Sequence, residues 1–223
     1  MQVQWYGQSA FRLTGDSATV FIDPLGDTSA FAAHGISIDY PPIAGVVADL
    51  LLVTHEHADH NGVETIGGDP VVLRSTAGRL DSPIGEVVAI ASEHDASAGT
   101  ERGPNTIFAF ALDGVRVAHL GDLGQSALRD EQAAAIGEVD LLFVPVGGRF
   151  TIGAAAAAAI VARLRPRWVV PMHYRTERLD FLETAEEFLA LMPSVQRLEG
   201  AAFDTGALEG GGGATLAVVP KSP

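Results

Sequence analysis

Four stretches of the chain run an apolar segment of strand length into a histidine or an aspartate. DLLLVT at 49–54 leads into His55, VVAIAS at 87–92 toward His94, VRVAHLG at 115–121 into Asp122, and WVVPM at 168–172 into His173. A short continuous apolar run is the form a strand takes when both faces of its sheet are covered. Strand ends along one edge of a layered fold are held rigidly while the loops after them vary, so ligand-bearing side chains placed there converge. The pattern predicts a layered α/β globule with one shared site at its strand ends. With 223 residues, 47% hydrophobic and 19% charged, the chain has material for one core, and a single domain over 1–223 is expected. The 25 Gly and 12 Pro, spread without a three-residue period, point to many tight connections and exclude a long coiled coil.

Alternation over 3–6, 9–13 and 18–22 predicts an opening β-meander that ends at Asp23-Pro24. Residues 26–48 carry Gly, Ser, Asp and the pair Pro41-Pro42 without sustained periodicity. That predicts a long irregular connection with one helical turn near 30–34, and connections of this length are often functional. Strands are expected at 71–74 and 86–91 with a short helix over 75–80 between them, and a hairpin joins 106–112 to 115–120 across Asp113-Gly114. The later elements are a helix over 129–136, a strand over 140–145, an alanine-rich helix over 154–164 and a strand over 168–171. An acidic amphipathic helix over 180–192 follows, then a glycine turn at 210–213 and a strand over 214–219.

Lys and Arg number 14 against 28 Asp and Glu, a formal charge of −14 with neutral histidines. No basic patch follows a phosphate backbone, so nucleic-acid binding is disfavoured. The single lysine, Lys221, among many Arg, Ala and Gly hints at a GC-rich bacterial genome. The lack of Cys leaves His and carboxylates to hold any metal, a set that suits borderline or hard divalent ions. The opening residues MQVQWY lack the basic and apolar regions of a secretion signal, and no apolar run approaches about 18 residues. A cytoplasmic protein with no membrane partner is expected.

The block H-x-H-x-D-H at 55–60 places four potential ligands, His55, His57, Asp59 and His60, directly after a buried strand, which folding alone does not require. In an extended turn His55 and His57 lie on one side and can grip one ion, whereas a helix would need i, i+4 spacing. Asp59 and His60 lie just beyond and can serve a second ion beside the first. Two such cations repel unless anions bridge them, and a carboxylate with a hydroxide is the natural pair. Asp122 sits in Gly121-Asp122-Leu123-Gly124, where the glycines leave the backbone open to close approach. Asp23 reads as a turn or supporting carboxylate, His119 as a core or supporting histidine, and His34 as a loop histidine.

Asp23, THEHADH at 54–60, His94, GD at 121–122 and PMHY at 171–174 together resemble the metallo-β-lactamase-fold hydrolases over nearly the whole chain. AHLGDLG at 118–124 and PVGG at 145–148 are most similar to the bacterial branch related to ascorbate-6-phosphate lactonase. The resemblance implies a four-layer αββα sandwich, two mixed β-sheets face to face with helices outside. It implies His55, His57 and His94 on a first metal, Asp59, His60 and His173 on a second, and Asp122 bridging the two. The implied cofactors are two divalent metal ions, Zn2+ first, with Mn2+ or Fe as the other ions such ligands accept.

A dinuclear zinc-type site brings the pKa of bound water from about 15.7 toward about 7, and its bridging hydroxide would attack a small ester, lactone or phosphodiester. Asp122 then keeps the ions at working distance and Asp59 also orients the water, which makes these two the catalytic carboxylates. Two ions create a local positive field that draws a small anionic substrate despite the acidic surface. Tyr174, Asn105 and Arg149 are candidate general acids by position alone. The same fold family opens two alternatives: a mononuclear iron dioxygenase with two His and one carboxylate, and a catalytically silent metal-binding protein. A di-iron reductase is disfavoured because His57 stands where such relatives carry Glu. The loops 26–48 and 95–105 are expected to set the substrate, and no apolar stripe decides between a monomer and a homo-oligomer.

Overall fold

Residues 50–53 are apolar at every position, and the structure, a computed structural model describing residues 1–208 and 213–223, shows the cause. Leu50 and Leu52 enter the main core, while Leu51 and Val53 enter a smaller cluster with Phe21, Ile43, Val46 and Ile66. The strand is therefore covered on both faces, as its composition requires. The side chain of His34 and residues 210–212 of the expected glycine turn lie outside the described residues.

In chain order the first strands are β1 (Gln2–Gly7), β2 (Ala10–Thr14), β3 (Thr19–Ile22), β4 (Leu50–Val53), β5 (Val71–Arg74), β6 (Gly78–Ser82), β7 (Gly85–Glu93), β8 (Pro104–Leu112) and β9 (Val115–His119). Helix α1 (Asp130–Ile136), β10 (Leu141–Pro145), α2 (Ala154–Leu164), β11 (Trp168–Met172), α3 (Glu186–Ala190), β12 (Ser194–Arg197), β13 (Ala202–Asp204) and β14 (Leu216–Val219) complete the order. One sheet runs β13-β1-β2-β3-β4-β5 and the other β12-β14-β11-β10-β9-β8-β7-β6. Both are mixed: β3, β4 and β5 are parallel in the first, and β9, β10, β11, β14 and β12 in the second. Phe11 and Phe143, one from each sheet, have ring centroids 4.4 Å apart at the centre of the core.

Ile136, Ala157, Ile160, Val161, Phe188 and Leu189 bring the three helices onto the main core. The outer face of the six-stranded sheet is covered instead by Leu25, Ile43, Val46, Val63 and Ile66 from extended segments and a 3-10 turn. The αββα layering holds, with a thin outer layer on that side. The Asp113-Gly114 hairpin forms as its sequence predicts, with φ of 50° and 77°, the pair of left-handed residues a type I′ turn needs. No helix among the described residues is long and apolar enough to cross a membrane.

Two expected helices are corrected. Residues 75–80 are not helical; Gly78 at φ 137° starts β6, which runs back against β7 through a turn closed by Gly85 at φ 93°. Residues 180–185 do not join α3, because their backbone is engaged by distant partners. Glu183 N–H donates to Gly147 O, Glu183 O accepts from Arg175 N–H, and Phe181 O accepts from the Arg149 side chain.

The ends of β7 and β9 meet at a glycine. Gly124 N–H donates to Glu93 O at 2.8 Å, and a Cβ on Gly124 would lie 2.3 Å from the carbonyl carbon of His94. Gly124→Ala is expected to cost about 3 kcal/mol through this overpacking, read as a fall in Tm of roughly 6–12 °C. An unchanged melting curve would contradict the contact.

Candidate metal centre

Six strand ends deliver the site. β1 leads into Gln8-Ser9, β3 into Asp23, β4 into His55 and the turn to His60, β7 into His94, β9 into Gly121-Asp122, and β11 into His173. Gln8, Asp23 and His173 have φ of 48°, 49° and 50°. Such left-handed backbone is disfavoured by about 1–2 kcal/mol in a non-glycine residue and persists where the surroundings enforce it.

The seven side chains singled out from the sequence lie together. Ligand atoms of His55, His57 and His94 are within 4.8 Å of one another, and so are those of His55, His60 and Asp122, and of Asp59, His60 and His173. Asp122 Oδ2 is central: Nε2 of His173 lies 3.1 Å away, those of His60 and His94 3.3 Å, and that of His55 4.0 Å. All seven are buried except His57, which is exposed.

The histidines are oriented from behind. His60 Nδ1 lies 2.9 Å from Asp23 Oδ2, and Asp23 is itself fixed by Thr54 N–H at 2.8 Å and Thr54 Oγ1 at 2.7 Å. That leaves His60 Nε2 facing Asp59 and Asp122, buried and without a hydrogen bond; Nδ1 of His94 and of His173 are also buried and unpartnered. Buried polar atoms are rarely left unsatisfied. The orphaned His60 Nε2, set beside two carboxylates and among the Nε2 atoms of His55, His94 and His173 with no thiolate, fits a borderline divalent cation. Asp23→Ala is expected to release His60 and weaken metal binding roughly 10–100-fold, measured by competition with a chelator. Unchanged affinity would leave Asp23 as a turn residue only.

The electrostatics agree with the geometry. Burial opposes charge on His60, yet Asp122, Asp59 and Asp23 outweigh it and hold its pKa well above the ordinary value. Burial, with the other imidazoles, pushes His55 well down and His57 down. Burial also works to raise Asp122, but His173 and His60 hold its carboxyl well below the usual range. A cation among these groups completes a balance that protons meet only in part.

The beta-lactamase superfamily domain family matches residues 2–173. A "UPF0173 metal-dependent hydrolase" of Thermococcus onnurineus is 32% identical over 200 residues, covering 79% of this chain and 85% of the relative. A crystal structure of a metallo-β-lactamase superfamily protein from Thermotoga maritima superposes with a TM-score of 0.78 and 28% identity over 99% of both chains. The chain belongs to the metallo-β-lactamase superfamily, among its metal-dependent hydrolases. A "UPF0173 metal-dependent hydrolase" of Pyrobaculum neutrophilum is 30% identical over 88% of this chain and 94% of its own length. These curated relatives are archaeal, so the expected bacterial placement finds no support among them.

Sequence reasoning missed the groups that steady the carboxylates of this hydrolase. Gln8 Nε2 donates to Asp59 Oδ2 at 3.2 Å and Ser9 Oγ to Asp122 Oδ1 at 3.4 Å. His119 is the buried supporting histidine its sequence position suggested: Nδ1 accepts from Gly121 N–H at 3.1 Å, which leaves Nε2 to donate to Ser9 O at 3.0 Å, and burial lowers its pKa. The one trace in the sequence is a polar pair, Gln8-Ser9, at the tip of an apolar hairpin.

None of the three candidate general acids lines the cleft above the histidines. Asn105 is a supporting residue instead: Nδ2 donates to Ser92 Oγ and Leu120 O, and Oδ1 accepts Asp122 N–H at 2.9 Å. Tyr174 packs on Trp5 with ring centroids 5.6 Å apart, and Arg149 donates to Phe181 O at 2.9 Å. The cleft itself measures about 250 Å³, and Phe31, Ile36, Ile38, Arg102, Phe150 and Phe181 rise around His57, Asp59, His94, Asp122 and His173. A larger groove of about 560 Å³ between residues 25–29 and 40–43 holds none of the seven.

Proposed function

We propose that this hydrolase works through two divalent ions, zinc first among them, and cleaves a small ester, lactone or phosphodiester. The observation that carries the reading is the ring of four histidine nitrogens within 4.0 Å of Asp122 Oδ2. His55, His57 and His94 would hold one ion, Asp59, His60 and His173 the other, and Asp122 would be shared between them. The names of the curated relatives support metal dependence, and the provisional naming of the Thermotoga maritima protein as Zn-dependent supports zinc. Lactones enter the substrate set through the AHLGDLG and PVGG resemblance.

Zinc ions bound there supply a nucleophile at neutral pH, because water they coordinate ionises near pH 7 rather than at about 15.7. The chain does the rest. Gln8 steadies Asp59 at Oδ2, and Oδ1, which carries no protein hydrogen bond among the described residues, would orient the attacking water. Ser9 holds Asp122 at Oδ1 and Asn105 holds its backbone N–H, so Oδ2 keeps its place among the histidines. The apolar rim thins bulk water from the cleft and strengthens every charge interaction inside it.

The test is the metal content of protein purified without added metal, joined to turnover of a panel of small esters, lactones and phosphodiesters. Two zinc ions per chain and hydrolysis of at least one class are expected. One iron per chain with oxygen consumption would select the dioxygenase instead, and metal without turnover a silent binding protein.

A further inference from the structure

Among the described residues, Arg102 is the one Arg or Lys that lines the cleft above the histidines. Its guanidinium carbon lies 4.1 Å over the Phe150 ring. Arg74, Arg116, Arg129 and Arg197 are all paired with carboxylates, whereas Arg102 has no ion pair and no side-chain hydrogen bond among the described residues. A guanidinium stacked on an aromatic face keeps its in-plane N–H groups open, and that fork takes a carboxylate or a phosphate through two oxygens. An uncompensated arginine in the cleft of a chain with net charge −14 marks where negative charge is drawn.

The loop that carries this arginine is built. The Asp95 carboxylate, beside His94, accepts the backbone N–H groups of Ser97, Gly99, Glu101 and Arg102 at 2.8–3.0 Å. Four donors on one buried carboxylate fix the backbone of residue 102 relative to the end of β7. The remaining walls are apolar: Phe31, Ile36 and Ile38 from the long connection, and Phe150 and Phe181 from the loops after β10 and β11. At about 250 Å³ the cleft falls below drug-sized sites, which run to roughly 300–1,000 Å³.

We propose that Arg102 and this apolar rim form a subsite that selects a small substrate with an apolar arm and an anionic oxygen group. Arg102 receives the anion while the scissile bond lies over the histidines and Asp122. The assignment rests on the hydrolase reading of the site and adds the residue that reads the substrate.

Calorimetry on the zinc-loaded full chain tests it with 3-phenylpropanoate, its neutral amide, 3-phenylpropyl phosphate and acetate. At least one of the two phenyl anions is expected to bind roughly ten- to a hundredfold tighter than the amide. Arg102→Ala should erase most of that ratio, Arg102→Lys should keep part of it, and the anion that loses more identifies the headgroup. 3-Phenylpropanoate should exceed acetate by about tenfold or more through its buried ring. A ratio unchanged in Arg102→Ala would put the anion on the metal and overturn the role of Arg102, and acetate binding equally well would overturn the apolar arm. Arg102→Gln, neutral and of similar length, checks that any loss is not a folding defect, with Tm measured for each variant. Turnover without Arg102-dependent binding rejects the subsite alone; Arg102-dependent binding without turnover of any ester, lactone or phosphodiester supports the subsite and rejects the hydrolytic reading.

Discussion

Asp122→Asn is expected to cut hydrolysis by roughly 10³-fold or more, beyond the 10–100-fold typical of a group that only supports a ligand. Asp122 Oδ2 stands within 4.0 Å of four imidazole nitrogens from three strand ends, and His173 and His60 keep the carboxyl ionised against the pull of burial. Asn has the same shape and keeps the backbone N–H bond to Asn105, so the fold should persist while the charge is lost. The measurement is kcat on the best substrate of the panel, with metal counted by mass spectrometry. Asn105→Ala, which removes the support and leaves the carboxylate, is expected to fall only within the 10–100-fold range. A variant Asp122→Asn that kept a tenth of the activity and its full metal content would remove Asp122 from the mechanism.

Stripping the metal should produce the largest change in stability. Without a cation, His60 Nε2 is buried between Asp59 and Asp122 with no hydrogen-bond partner, and such an atom carries a desolvation penalty of about 1–3 kcal/mol. Free metal at a thousand times its Kd stabilises the folded chain by about 4 kcal/mol. For a domain of this length that corresponds to roughly 8–16 °C in Tm. Thermal melts with a strong chelator should show a fall of that size, reversed by added zinc and much reduced in Asp122→Asn. Identical melts with and without chelator would leave the cluster as packing alone.

Local signals in the chain were read well where one segment decides its own structure. β4 is apolar throughout because Leu50 and Leu52 face one core and Leu51 and Val53 the other, and the Asp113-Gly114 turn needs no more than two residues able to take positive φ. The helix over 154–164 formed at its expected bounds. Reading failed where a distant partner overrides propensity. Residues 180–185 have an acidic amphipathic pattern, yet Gly147, Arg149 and Arg175 take their backbone groups and the helix shrinks to Glu186–Ala190. β12 and β13 are short and carry little apolar alternation; β13 exists because β1 offers an edge to pair with, from Gln2↔Asp204 to Gln4↔Ala202.

The order of amino acids by itself determined the inventory of ligand-type side chains and their place at strand ends, because an apolar run followed at once by His or Asp is a signal contained within a few residues. Only the tertiary structure decided which carboxylate oxygen stands at the centre, which nitrogen of each histidine is left unpartnered, and which side chains wall the cleft. Ser9 and Asp122 are 113 positions apart, and they meet because two sheets pack face to face and bring the tips of β1 and β9 to one edge. No periodicity along the chain records such a contact, since it is made by the close packing of the whole core rather than by any segment of it.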